Sequence, residues 1–289
     1  MTVIRQEDLI ESIADALQFI SYYHPLDFIR AMRGAWEKEE SPSAKAALTQ
    51  VLVNSRMCAL GKRPICQDTG IVNVFITVGM EVSWETDISL EDMINEGVRR
   101  GYTHPENVLR GSVLEDPDGS RANTKDNTPA VIHPRIVPGD KVEIEVAAKG
   151  GGSEAKAKFA MLNPSDSVVD WVLSVVPSMG AGWCPPGLLG VGIGGTPEKA
   201  MLLAKQSLME PIDMHDLLDR GPKDHLEELR IELYEKVNAL GIGAQGLGGL
   251  TTVLDVKVQD YPTHAANKPV AVIPNCSATP HVHFTLDGS

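Results

Sequence analysis

The chain has little aromatic content and few cysteines. Phe, Tyr and Trp make up 5% of its 289 residues, so any core must rest on Leu, Ile, Val, Met and Ala. Only four cysteines occur, Cys58, Cys66, Cys184 and Cys276, which is too sparse for a disulfide scaffold in a chain this long. Basic residues are outnumbered, 26 to 39, and the net charge of −13 argues against nucleic-acid or anionic-membrane partners. Repeats, low-complexity linkers and a signal-peptide pattern are missing: the first residues carry Glu7, Asp8 and Glu11. A cytoplasmic location with reduced thiols is the expectation. Trp171 to Pro197 holds no charge and is long enough to span a bilayer, but Pro177, Pro185, Pro186, Pro197 and its many glycines break it up. It reads as buried structure of a soluble protein, with a helix, a turn and then a strand.

What is present is a folded α/β (α+β) composition, 43% hydrophobic and 22% charged. The first 62 residues read as helical: Leu9, Ile10, Ile13, Leu17 and Ile20 recur at helical spacing. Asp27 to Trp36 and Ser43 to Leu60 follow as helices, with Gly61 as a C-cap. Residues 63–289 read as a mixed sheet with flanking helices: strands at 71–78, 142–148, 188–193, 252–261 and 269–275, helices at 90–101, 167–179 and 225–240, and another opening at Thr196-Pro197-Glu198. Residues 105–140 read as one long irregular loop, and such loops are often functional. The whole of 1–289 is expected to be one continuous body.

Three cysteines share a setting. Cys66 (PICQDTG), Cys184 (WCPPG) and Cys276 (PNCSA) lie in turns beside expected strands, whereas Cys58 sits in a helical pattern and reads as core packing. Three thiolates on separated loops suit two chemistries. One is a zinc site completed by a histidine such as His281 or His283, although zinc sites usually include a closely spaced cysteine pair. The other is a 4Fe-4S cluster with one iron left open as a Lewis acid. Spacing alone leaves both open, and for His281 and His283 a structural or surface role is the simpler reading. Gly190-Val191-Gly192-Ile193-Gly194-Gly195 matches a dinucleotide fingerprint but lacks the surrounding βαβ unit and acid. Its glycines are better read as close strand–helix packing behind Cys184.

Taken together, ICQDTG at 65–70, KGGGS at 149–153, Cys184-Pro185-Pro186, LGIGAQGLGG at 240–249 and Asn275-Cys276-Ser277-Ala278 resemble the iron–sulfur-dependent class I fumarases. They are also similar to the α subunit of L-tartrate dehydratase. The resemblance implies that Cys66, Cys184 and Cys276 ligate a 4Fe-4S cluster whose fourth iron binds a hydroxy-acid. It implies that Gln67 and Asp68 reach the substrate, that Arg110 pairs with a substrate carboxylate, and that His264 is an active-site histidine. Gly150, Gly151 and Gly152 allow close backbone approach and offer N–H groups to an anion. Asp68 and His264 are the candidates for proton handling. Each has a plainer reading: Asp68 and the glycines as turn residues, Arg110 as a surface ion pair, His264 as an exposed turn residue. No carbon-acid base is found, so a C-terminal catalytic domain or β subunit is expected, with the chain inactive alone and the complete enzyme a homo-oligomer. The substrate is expected to be a small dicarboxylate: fumarate and L-malate first, L-tartrate or another 2-hydroxy diacid as the alternative. A zinc-binding structural or interaction module is the reading from a different class.

Overall fold

The computed structural model describes residues 2–278 and 280–288. In chain order the elements are β1 (Thr2–Arg5), α1 (Gln6–Tyr22), α2 (Leu26–Lys38), α3 (Pro42–Gly61), β2 (Ile71–Gly79), β3 (Val82–Glu85), α4 (Leu90–Tyr102), β4 (Val131–Val137) and β5 (Val142–Lys149). They continue as α5 (Gly151–Glu154), β6 (Lys158–Leu162), α6 (Val168–Met179), β7 (Gly187–Gly194), α7 (Pro197–Ser207), α8 (Met214–Arg220), α9 (His225–Ala239), β8 (Val253–Tyr261), β9 (Lys268–Asn275) and β10 (His281–Leu286). The class is mixed α/β, as the sequence indicates. The chain forms two compact units: Met1–Pro25 with Asn54–Gly151 and Ala278–Ser289, and Leu26–Val53 with Gly152–Ser277. The helices of the first 62 residues are divided between them, α1 to the first and α2 to the second.

The first unit is a four-stranded sheet in the order β10-β5-β2-β4, with β2 parallel to β4 and antiparallel to β5. A small parallel ribbon of β1 and β3 accompanies it. Alternation along β5 buries Val142, Ile144 and Val146, which join Val72, Val74 and Ile76 of β2 beneath α1 and α4. The two helices meet closely because α4 carries glycine there: a Cβ on Gly97 would stand 2.7 Å from the Ile13 Cβ.

The second unit is a sheet in the order β6-β9-β7-β8 between two helical layers. Valines of β7, β8 and β9 pack with Val172, Val176, Leu229, Leu233 and Val237 of α6 and α9. On the opposite face α7 lies directly on β7. A Cβ on Gly190 would be 2.0 Å from the Ala204 carbonyl oxygen, and one on Gly192 2.0 Å from that of Ala200. The glycine-rich fingerprint is thus a packing surface, as the sequence reading preferred.

Several boundaries differ from expectation. The irregular 105–140 segment contains β4, an exposed edge strand whose His133-Pro134-Arg135 hides the alternation. The short strands β1, β3 and β6 and the helix α8 also lack a readable period. Gly61 is not a cap in the left-handed conformation; it ends α3 as a helical residue, and Lys62 takes the positive φ of 46°. KGGGS is not simply a turn, because its last residues open the single-turn helix α5.

Candidate active site

In the first unit the loop between α3 and β2 carries Cys66, Gln67 and Asp68. Asp68 is its hub. Its Oδ1 accepts from the Gly70 N–H at 3.1 Å and its Oδ2 from the Gly151 N–H at 2.7 Å. The Cys66 Sγ accepts from the Asp68 N–H at 3.4 Å. Gly70, at φ +78°, admits no side chain: a Cβ would lie 2.6 Å from the Lys149 carbonyl carbon. A Cβ on Gly150 would press to 3.0 Å from Asp68 Oδ2. Two of the three KGGGS glycines therefore do meet Asp68, and one supplies an N–H to it. Gly152 belongs to the second unit, where its Cβ would meet the Gly182 carbonyl oxygen at 2.8 Å.

Gln67 is exposed, and its Oε1 receives the Cys66 thiol at 3.3 Å. Arg110 is exposed and makes no ion pair among the described residues. Its carbonyl accepts from the Thr69 hydroxyl, which ties the Arg110 segment to the Cys66–Gly70 loop. Beneath the loop, buried Tyr102 donates to the Thr69 carbonyl at 2.6 Å, and burial drives its phenol pKa upward. A cavity of about 30 Å³ lined by Cys66, Asp68, Thr69 and Tyr102 lies here, enough for a water molecule.

In the second unit Cys184 and Cys276 occupy adjoining turns. Cys184 is exposed in the left-handed region at φ 57°, and its carbonyl accepts from the Ser277 N–H at 3.3 Å. The following Pro185 carbonyl accepts from both the Gln245 N–H at 2.7 Å and its Nε2 at 2.8 Å. The LGIGAQGLGG loop thus braces the Cys184 turn through Gln245, a residue the sequence reading left unassigned within that motif. Tyr102 stands in no recognisable motif, so its hydrogen bond to the loop is likewise invisible in the sequence. Glu39 holds the far end of the loop, accepting from the Leu250 N–H at 2.9 Å.

His264 is not brought to these cysteines. Cys184 precedes β7 and Cys276 follows β9, whereas His264 lies in the β8–β9 connection at the opposite end of the same sheet. The length of β7 puts the two ends about 20 Å apart. His264 is exposed, and its Nδ1 accepts from the Ala266 N–H at 3.1 Å. His281 and His283 sit on β10, with His283 Nδ1 3.5 Å from Glu145 Oε1. Cys58 is buried against Asn54 and the Pro64 carbonyl, and burial pushes its thiol pKa up, which suits packing rather than ligation.

Among the described residues no group of three or more His, Cys, Asp and Glu is assembled around a metal position. The donor chemistry still fits an iron–sulfur group. Each of Cys66, Cys184 and Cys276 is at least partly exposed on a turn stiffened by backbone hydrogen bonds, while the fourth cysteine is packed away.

Comparison with known proteins gives the class: a hydro-lyase of the class I fumarase kind. The family described as Fumarate hydratase (Fumerase) matches residues 10–285, and the chain belongs to that family. A Methanocaldococcus jannaschii protein named "Putative L(+)-tartrate dehydratase subunit alpha" is 33% identical over 273 residues, covering 92% of this chain and 93% of its own. The L(+)-tartrate dehydratase subunit alpha of Escherichia coli strain UTI89 is 30% identical over 287 residues, with 96% and 92% covered. That of Shigella sonnei is 30% identical over 275 residues, with 93% and 88% covered.

Proposed function

We propose that this chain is the cluster-binding component of a hydro-lyase that interconverts fumarate and L-malate. The reading rests on the Cys66–Gly70 loop, where a thiol, an amide and a carboxylate stand in succession and the carboxylate is fixed by two backbone N–H groups. Cys66, Cys184 and Cys276 would hold a 4Fe-4S cluster, which supplies Lewis acidity toward a substrate hydroxyl or carboxylate when bound.

The chain's own residues bind and orient. Arg110, without an acidic partner among the described residues, offers a bidentate fork to one substrate carboxylate. Gln67 offers an amide that donates and accepts, and the exposed backbone of Gly151 and Gly152 allows close approach. Asp68 handles a proton. Two backbone N–H groups hold its carboxylate in place beside Cys66. His264, in the β8–β9 connection of the second unit, is the second residue assigned to proton handling or its support.

The carbon-acid base is assigned to a partner, a β subunit or C-terminal domain, and the chain alone is inactive. The relatives' designation as α subunits supports such a partner, since this chain spans nearly their whole length. The complete enzyme is a cytoplasmic homo-oligomer of such pairs. A second reading, dehydration of L-tartrate, is favoured by the relatives' names. The deciding test is anaerobic assay of the complete enzyme. Greater kcat/KM for L-malate and fumarate supports the first reading, and greater kcat/KM for L-tartrate replaces it. Full activity of the chain alone would refute the partner's role.

A further inference from the structure

Asn127 lies in the irregular segment between α4 and β4. It is fully buried, at 0% exposure, and has a left-handed φ of 64°, a conformation that asparagine tolerates better than most residues. Its Nδ2 donates to the Gly70 carbonyl at 3.0 Å, and its Oδ1 accepts from the Ser112 N–H at 2.7 Å. One side chain therefore joins the end of the loop carrying Cys66, Gln67 and Asp68 to the segment just after Arg110. The Thr69 hydroxyl donates to the Arg110 carbonyl alongside, and Asn123 Nδ2 donates to the Gly111 carbonyl at 2.9 Å. No strand pairing links residues 66–70 with 110–112 among the described residues; side-chain hydrogen bonds hold them together.

We infer that Asn127 is a positioning residue that sets Arg110 against Gln67 and Asp68, and so fixes how a diacid is gripped at one carboxylate relative to the proton-handling group. The inference rests on the functional reading above for the roles of Arg110 and Asp68. The chemistry selects an amide. Gly70 presents an acceptor and Ser112 a donor, so the bridging group must donate at one end and accept at the other. A carboxylate would set an acceptor against the Gly70 carbonyl, and an alanine would leave both backbone groups without their partner.

The test uses the complete cluster-loaded enzyme with Asn127→Asp and Asn127→Ala, the former nearly isosteric should the latter fail to fold. The KM for the diacid turned over is expected to rise about tenfold, the scale of one lost hydrogen bond, with iron and sulfide content unchanged. In an Arg110→Ala background the Asn127 substitution should raise KM no further. Hydrogen exchange gives a readout apart from activity: peptides covering 66–70 and 110–112 should lose protection together while the rest of the chain is unchanged. An unchanged KM, additive effects with Arg110→Ala, or independent exchange of the two peptides overturns the positioning role. If Arg110→Ala itself leaves KM unchanged, the functional reading of Arg110 fails. The bridge is then judged by exchange alone, with joint loss upholding it and independent behaviour refuting it.

Discussion

At the residue scale, Asp68 answers to two demands. Its oxygens take the Gly70 and Gly151 N–H groups, a turn-forming arrangement, and the same bonds hold a carboxylate at a fixed point beside Cys66. The turn-forming role and the proposed chemical role of this residue draw on one geometry. Asn at this position keeps one carbonyl oxygen but cannot take a proton. Asp68→Asn is expected to lower kcat by about a hundredfold or more, the usual yield of a general acid or base, with iron and sulfide content retained. Steady-state kinetics with metal analysis checks it; retained kcat would reduce Asp68 to a turn residue. The sequence makes Asp68 visible because it follows Cys66 in a motif. Asn127 and Tyr102 stay hidden because their importance comes from burial and from partners far along the chain, Gly70 with Ser112 for one and Thr69 for the other.

At the element scale, the strands with clean alternation or full burial were legible, β2, β5, β7 and β9 among them, as were the helices with apolar spacing. Edge strand β4 was not, since an exposed strand needs no alternation and Pro134 interrupts its pattern. The turns bearing Cys184 and Cys276 were readable as turns, but their hydrogen-bonded adjacency was not, because it depends on the antiparallel pairing of β7 with β9. The opposite placement of His264 follows from the same topology. The contact of α7 with β7 gives a sharp prediction. Gly192→Ala puts a methyl where the Ala200 carbonyl already stands, at 2.0 Å. Overpacking of this kind should cost about 1–3 kcal/mol, seen as a lower denaturation midpoint. A midpoint equal to the parent's would show that α7 does not rest on this strand as described.

At the scale of the whole molecule, the net charge of −13 would oppose the dianionic substrate proposed above, so under that proposal attraction falls to local groups such as Arg110. No helix among the described residues is long and apolar enough to cross a membrane; the uncharged 171–197 stretch is split between α6, a turn and β7. An ionic cluster in the second unit, buried except at half-exposed Asp213, ties α9 and β8 to the segment before α8. Arg230 and Lys257 both meet Asp213 and Asp255, with Lys257 bonding Asp255 at 2.9 Å. Burial works to raise the pKa of Asp213, but the hydrogen bonds and charges of Arg230 and Lys257 outweigh it and hold the carboxyl at about 2. A folded pKa below the unfolded one gives stability that is present above about pH 4 and lost as the pH falls toward 2. The thermal midpoint should therefore drop across that window, and Asp213→Asn should flatten the drop while lowering the midpoint near neutrality. An unchanged slope in the variant would remove Asp213 from the acid response.

The central claim is that Cys66, Cys184 and Cys276, and not Cys58, hold an iron–sulfur cluster. Iron, sulfide and zinc analysis of the anaerobically prepared protein and its four single Cys→Ser variants tests it most directly. The account predicts iron and sulfide in the parent and in Cys58→Ser, and a marked loss of both in Cys66→Ser, Cys184→Ser and Cys276→Ser. A colourless parent holding one zinc and no sulfide would contradict it.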